Sequence, residues 1–146
     1  MGKEICFHLK LRQADRMLTN YYDAYLRELG IKITQFSILR CLWYYPASPH
    51  NLLEKKLIIN QTTLTRNLKS LVKAGYVESH PSEQDQRVKL LSLGEKGKSL
   101  YLQALQRWNK AQEEVYQQLG EKLSSQLFDV SDNLVSLKDR KIQGFV

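Results

Sequence analysis

The tightest constraint in this sequence is a short gap. Only Ile58, Ile59 and Asn60 separate two short amphipathic stretches, and a turn of that length forces the helices on either side to pack directly on one another, as in a helix-turn-helix. The second stretch runs from Asn60 to Gly75. At helical spacing Leu64, Leu68, Leu71 and Val72 form one apolar stripe that must face a core, while Thr62, Thr65, Arg66, Lys69 and Lys73 line the other side. Asn60 is a good N-cap and Gly75 can take the left-handed conformation that ends a helix, so the element is short and sharply bounded. Its outward side offers Gln, Thr and Arg near the N-terminus and Lys further along, which suits base edges first and phosphates second in a DNA major groove. A solvated surface helix would show much the same face, so the flanking chain has to decide.

Upstream, Leu11, Ala14, Leu18, Tyr21, Tyr22, Tyr25 and Leu29 recur every three or four positions, predicting a long first helix over 5–29 that ends at Gly30. Its tyrosines read as core or interface rather than as the lining of a ligand site. Ile31 to Ile33 reads as an extended link. Thr34 is the expected N-cap of a second helix, with Phe36, Leu39, Leu42 and Trp43 inward and Pro46 as its stop. Ser48-Pro49 reads as cap and first residue of a third helix carrying Leu52, Leu53 and Leu57 inward. Downstream, Tyr76–His80 and Arg87–Leu93 are rich in strand-forming residues and flank a polar turn, which predicts an antiparallel hairpin, a wing, after the helix-turn-helix. Helix returns at Glu95, is broken at Gly120, and continues with Leu123, Leu127, Val130, Leu134 and Leu137 in alternating steps of four and three, the spacing of a coiled-coil seam. The tail after Lys138 has no periodicity. A small winged-helix core cannot cover all these stripes, so the first helix and the C-terminal helices are expected to pack against a second copy of the chain.

Composition narrows the function classes. With 146 residues the chain suits one domain, and a net charge of +7 makes polyanions plausible partners. No apolar run is long enough to span a membrane, and the charged N-terminus lacks the apolar stretch of a signal peptide, so a cytoplasmic protein is expected. Cys6 and Cys41 are far apart and in no metal-like spacing, which reads as free thiols. His8, His50 and His80 lie in three elements and read as surface or interface residues. No nucleophile motif, phosphate loop or metal cluster is present in the sequence, so neither catalytic residues nor a metal or cofactor are expected.

The order of long helix, three short helices, hairpin and two long helices resembles the MarR family of winged helix-turn-helix transcription regulators over nearly the whole chain. Thr34–Leu39 is similar to that family's helix entering the DNA-binding lobe, Thr62–Leu68 to its recognition helix, and Asp85-Gln86-Arg87 followed by Leu93-Gly94-Glu95-Lys96-Gly97 to its wing signature. Gly94 stands where the family usually has Thr, and the wing tip carries Glu83 and Asp85. The resemblance implies a mainly α (α+β) fold: a single domain over 1–146 with a winged helix-turn-helix at 34–93 and dimerisation helices at 5–29 and 95–137. It implies a homodimeric, sequence-specific regulator of transcription, a repressor released by a small aromatic or oxidising effector, that binds a pseudo-palindromic double-stranded operator. The DNA contacts expected on this basis are Ser37, Asn60, Gln61, Thr62, Thr65, Arg66, Lys69, Lys73, Arg87 and Lys89. Arg87 either reaches the minor groove or pairs with Asp85 to shape the turn. An exposed pair contributes at most about 1 kcal/mol, which favours the DNA contact. For an effector, Cys6 lies near the start of the first helix, His8 registers with the sensor position of the peroxide-sensing branch, and Tyr22 matches one partner tyrosine while Ile33 stands where the second would be. Two alternatives remain in view: a winged-helix module that binds a protein partner, and a basic helical dimer that binds membrane or RNA. The polar outward face of the Thr62 to Lys73 stretch speaks against the first, and the mixed charge of Glu95, Glu113, Glu114 and Glu121 against the second.

Overall fold

The computed structural model describes residues 6–139. Helix α1 (Phe7–Leu26) runs into a 3-10 turn (Arg27–Leu29) and stops at Gly30, whose φ of 70° is open to glycine at little cost. Then come α2 (Ile33–Tyr44), a two-residue strand β1 (Ser48–Pro49), α3 (His50–Leu57), α4 (Gln61–Lys73), β2 (Val77–Pro81) and β3 (Lys89–Leu93). The last helical run, Glu95–Val135, is interrupted at Gly120 (φ 74°, ψ 169°), which makes it two helices, α5 over 95–119 and α6 over 121–135, followed by a 3-10 turn (Ser136–Asp139). The fold is therefore mostly helical with one small antiparallel sheet. Packing divides the chain into two compact units, Met1–Asn109 and Lys110–Val146. No helix among the described residues is long and apolar enough to cross a membrane.

The core of the first unit is built around α2. Phe36, Ile38, Leu39, Cys41 and Leu42 of that helix are all buried, together with Leu53 of α3, Leu64, Leu68 and Leu71 of α4, Val77, Leu91 and Leu93 of the sheet, and Leu100, Tyr101 and Ala104 of α5. The Phe36 ring lies 5.8 Å from both Tyr101 and Trp108 in stacked arrangements, so the start of α5 closes the core by aromatic contact. The sheet order is β1-β3-β2. The hairpin register pairs Val77 with Leu93 and Pro81 with Lys89, and it places the alternate residues Leu91 and Leu93 against the helices.

Several expectations are corrected by long-range contacts. Helix α2 starts at Ile33, not after a Thr34 cap, because Asp23 of α1 accepts from the Ile33 N–H (2.7 Å) and the Gln35 side chain accepts from the Lys32 N–H (3.0 Å). Ser48-Pro49 does not open α3. It forms a third strand opposite Leu91 and Leu90 on the free edge of β3, and the Ser48 hydroxyl donates to the Tyr45 carbonyl (2.7 Å) instead of capping. Trp43 and Val72, expected inward, are 39% and 42% exposed; the Trp43 ring leans on Tyr101 (4.8 Å) from outside, and Val72 lies beyond the arc that α4 buries. Helix α1 gives way to a 3-10 turn at Arg27 instead of running unbroken to Leu29. Residue 5 and the tail from residue 140 lie outside the described residues.

Gly94 caps α5, with its carbonyl accepting from the Lys98 N–H (2.9 Å), so the helix start holds without the threonine hydroxyl. Gly97 is more demanding. A Cβ there would stand 1.9 Å from the Tyr76 carbonyl oxygen, a backbone atom that cannot swing away, whereas a Cβ at Gly30 would meet nothing within 4 Å. Gly97→Ala should therefore lower unfolding free energy by about 2 kcal/mol or more, against about 1 kcal/mol for the purely conformational cost of Gly30→Ala. Urea denaturation of the two variants beside wild type measures both.

Candidate nucleic-acid interface

Helix α4 is delimited as its sequence predicts. The Asn60 side-chain oxygen accepts from the Thr63 N–H (2.8 Å), and at the other end the Gly75 N–H bonds the Val72 carbonyl (3.0 Å) and the Tyr76 N–H the Leu71 carbonyl (2.9 Å). That paired closure, with Gly75 at φ 76°, is a Schellman motif. Between these ends the helix divides into three stripes. Leu64, Leu68 and Leu71 are buried. Gln61, Thr62, Thr65, Arg66, Lys69 and Lys73 are all exposed, and at 100° per residue they occupy an arc of about 140°. Thr63, Asn67 and Ser70 make a polar flank between them.

The outward stripe has three cations and no acid. Among the described residues none of the three is in an ion pair, so their charge is available to an external anion. The first-turn N–H groups add the positive end of the helix dipole at the same place. Threonine hydroxyls and the Gln61 amide can both donate and accept, and the Arg66 guanidinium presents a planar fork. This is an inventory suited to reading base edges with anions beside them.

The other candidate DNA contacts are placed less uniformly. The Asn60 oxygen is committed to its capping bond, leaving only the amide nitrogen to an outside partner. Ser37 is half-buried, donates to the Ile33 carbonyl (2.9 Å), and borders a cleft of about 180 Å³ with Thr34, Leu57, Ile59, Thr63 and Asn67, so it stands behind α4 and not on its outward stripe. Arg87 does pair with Asp85: one carboxylate oxygen takes both the Arg87 backbone N–H (3.0 Å) and its Nε (3.2 Å). The Arg87 side chain is nonetheless 92% exposed, so the pair shapes the turn while leaving the rest of the guanidinium in solvent. Lys89, at the start of β3, is exposed as well.

The proposed effector residues do not converge within one chain. Cys6 and His8 are both exposed at the start of α1, where the Cys6 sulfur accepts from the Leu9 N–H (3.5 Å). Tyr22 lies about 24 Å further along the same helix at 1.5 Å per residue. It borders a cleft of about 300 Å³ with Asp15, Leu18, Thr19, Ile33, Thr34 and Ser37. Burial, with Tyr21 close by, pushes its phenol pKa up. His50 opens α3 and His80 lies on β2, so no histidine pair forms among the described residues. No group of three or more His, Cys, Asp or Glu able to hold a metal occurs among them.

Sequence reading passed over four residues that hold the interface in place. Asp23 caps α2 from α1 and Gln35 caps it from within its first turn, and the Gln35 amide also donates to the Ser70 hydroxyl of α4 (2.8 Å). Asn67 donates to the Thr63 carbonyl (2.9 Å). The spacing of Thr63, Asn67 and Ser70 at i, i+4 and i+7 is the signal that marks the flank. A further cation, Lys56 of α3, sits 4.5 Å above the Tyr45 ring and donates to its hydroxyl (3.2 Å).

Comparison with known proteins covers this same region. The sequence model of the MarR family matches residues 31–89. The organic hydroperoxide resistance transcriptional regulator of Bacillus subtilis is 30% identical over 97 residues, 66% of this chain and 65% of that protein. The HTH-type transcriptional regulator SarZ of Staphylococcus epidermidis is 29% identical over 100 residues, 68% of this chain and 66% of that protein. The chain thus spans just under two thirds of the length of the curated relatives it matches. Among solved structures, the M. tuberculosis transcriptional regulator MOSR in complex with DNA superposes with a TM-score of 0.80 at 29% identity, covering 93% of this chain and 99% of the other.

The two thiols should be chemically distinct. Burial pushes the Cys41 thiol pKa up and only 7% of the residue is exposed, so both thiolate formation and access are suppressed, while Cys6 is in solvent. A chromogenic disulfide reagent at pH 8 should modify Cys6 in the native protein and reach Cys41 only after denaturant is added. Mass spectrometry of the labelled peptides identifies which thiol reacted.

Proposed function

From the premise that residues 31–89 belong to the MarR family, we propose that this chain is a sequence-specific double-stranded DNA-binding regulator of transcription that reads its site with α4. The observation that carries the proposal is the outward stripe of that helix: six polar or cationic side chains, no acid, a capped N-terminus, and a buried leucine stripe that anchors the helix to the lobe. Gln61, Thr62, Thr65 and Arg66 lie in the first turn and a half, the part of a recognition helix nearest base edges, and Lys69 and Lys73 lie where phosphates pass. The solved relative bound to DNA supports the same reading. Repression relieved by a small aromatic or oxidising effector is the finer form of this reading, carried by family resemblance alone.

The two sets of side chains should fail differently. Arg66→Ala should cost about 1 to 3 kcal/mol and relax preference at one base pair, because a bidentate guanidinium contact carries sequence information. Lys69→Ala should weaken all duplexes about equally and reduce the slope of log K against log salt by about one, because it removes one phosphate neutralisation. Fluorescence anisotropy on a selected duplex and a scrambled one, across a salt series, measures both. Wild type binding the two duplexes alike would overturn the proposal.

A homodimer completes the reading, since a pseudo-palindromic site presents two half-sites about one turn apart. Residues 6–17 of the described chain are all exposed, including Phe7 (70%) and Met17 (69%). In the second unit Leu123, Leu127, Phe128, Val130 and Leu134 are exposed too. Apolar faces of this extent call for a covering partner, and a second copy supplies the same faces. Leu127→Asp should shift the protein from dimer to monomer in light scattering at micromolar concentration, because a carboxylate buried without a partner costs several kcal/mol.

A further inference from the structure

We infer that Gln35 and Ser70 form a latch that fixes how α4 is turned against α2, and are therefore positioning residues for base reading; the inference rests on the DNA-binding proposal above. The Gln35 side chain bridges two elements. Its oxygen accepts from the Lys32 N–H at the start of α2 (3.0 Å), and its amide nitrogen donates to the Ser70 hydroxyl on α4 (2.8 Å). The Ser70 hydroxyl in turn donates a hydrogen bond to the Asn67 carbonyl (3.0 Å), so it acts as both donor and acceptor. The end of α2 that Gln35 grips is itself tied to α1, through the Asp23 carboxylate on the Ile33 N–H (2.7 Å).

The chemistry explains why this pair can set an angle that the core does not. Leu64, Leu68 and Leu71 hold α4 to the lobe by apolar burial, which is non-directional and tolerates small rotations of the helix about its axis. A hydrogen bond on the flank is directional, and Ser70 sits at the margin of the outward stripe, where a rotation of α4 would break it. With the Ser70 hydroxyl donating to Asn67, the bridge needs an acceptor at one end and a donor at the other, which an amide supplies and neither a carboxylate nor methionine does. Both groups are at or near solvent, so water replaces the bond readily and global stability depends little on it. Bidentate base contacts, in contrast, are sensitive to the pose of the helix that presents them.

The test uses a duplex selected on the wild-type protein from a randomised pool, beside its scrambled counterpart. Ser70→Ala and Gln35→Met should each lower the ratio of the two affinities by roughly 3- to 10-fold, the effect of one hydrogen bond. The slope against log salt should not change, and melting temperatures should stay within a few degrees of wild type. The double variant should lose no more than either single one, and Ser70→Thr, which keeps the hydroxyl, should retain wild-type discrimination. If Ser70→Ala and Gln35→Met discriminate as wild type does, or if their losses multiply in the double variant, the latch is overturned while DNA reading stands. A wild type that binds both duplexes alike removes the DNA reading and the latch with it.

Discussion

The lobe depends on the burial of α2 from more than one side. Five of its residues are buried, and the elements around it meet through them: α3 by Leu53, α4 by its leucine stripe, the sheet by Leu91 and Leu93, and α5 by Tyr101 and the ring of Trp108. A fully buried Leu or Phe contributes about 1.5 to 3 kcal/mol relative to exposure, so this cluster outweighs any surface pair in the molecule. The ion pairs are of the weak kind. Arg107 to Glu28 (2.7 Å) and Lys98 to Glu95 (2.7 Å) both join side chains exposed enough for solvent to screen the attraction. Polar groups in this fold orient elements that apolar burial has already brought together.

That division is clearest on α4. Its inward stripe anchors, its flank bonds to α2, and among the described residues the cations of its outward stripe are in no ion pair. A cation that is unpaired in the free protein loses little when it meets a phosphate, because no existing pair has to be broken first. The wing is arranged differently. Asp85 already holds Arg87 by two hydrogen bonds, so the turn is ordered before any ligand arrives, and Glu83 and Asp85 set an acidic counterweight beside it. On the proposed reading, discrimination falls to the helix, and the wing offers an arginine already held by Asp85.

The exposed apolar faces of α1 and of the second unit bear on the proposed homodimer. A reading helix one turn and a half deep in a groove contacts only a few base pairs, and a second copy doubles that number at fixed spacing. In the proposed dimer, a second copy would both cover this apolar surface and supply the second half-site.

Much of this was legible in the sequence. The bounds of α4 follow from Asn60 and Gly75, its three stripes from a 3.6-residue period, the hairpin from two strand-forming runs around a polar turn, and the helix break from Gly120. These are local properties, fixed by backbone sterics and side-chain periodicity within a few residues. Tertiary structure decided what depends on groups distant in the chain. Asp23 moved the start of α2 ahead of Thr34, the open edge of β3 turned Ser48-Pro49 from a helix cap into a strand, and the Tyr76 carbonyl made Gly97 obligatory. Gln35 and Ser70, 35 positions apart, are brought to 2.8 Å by the packing of α4 against α2. No local pattern encodes such pairings, because a hydrogen-bond donor is silent about its acceptor until the core has brought the two together.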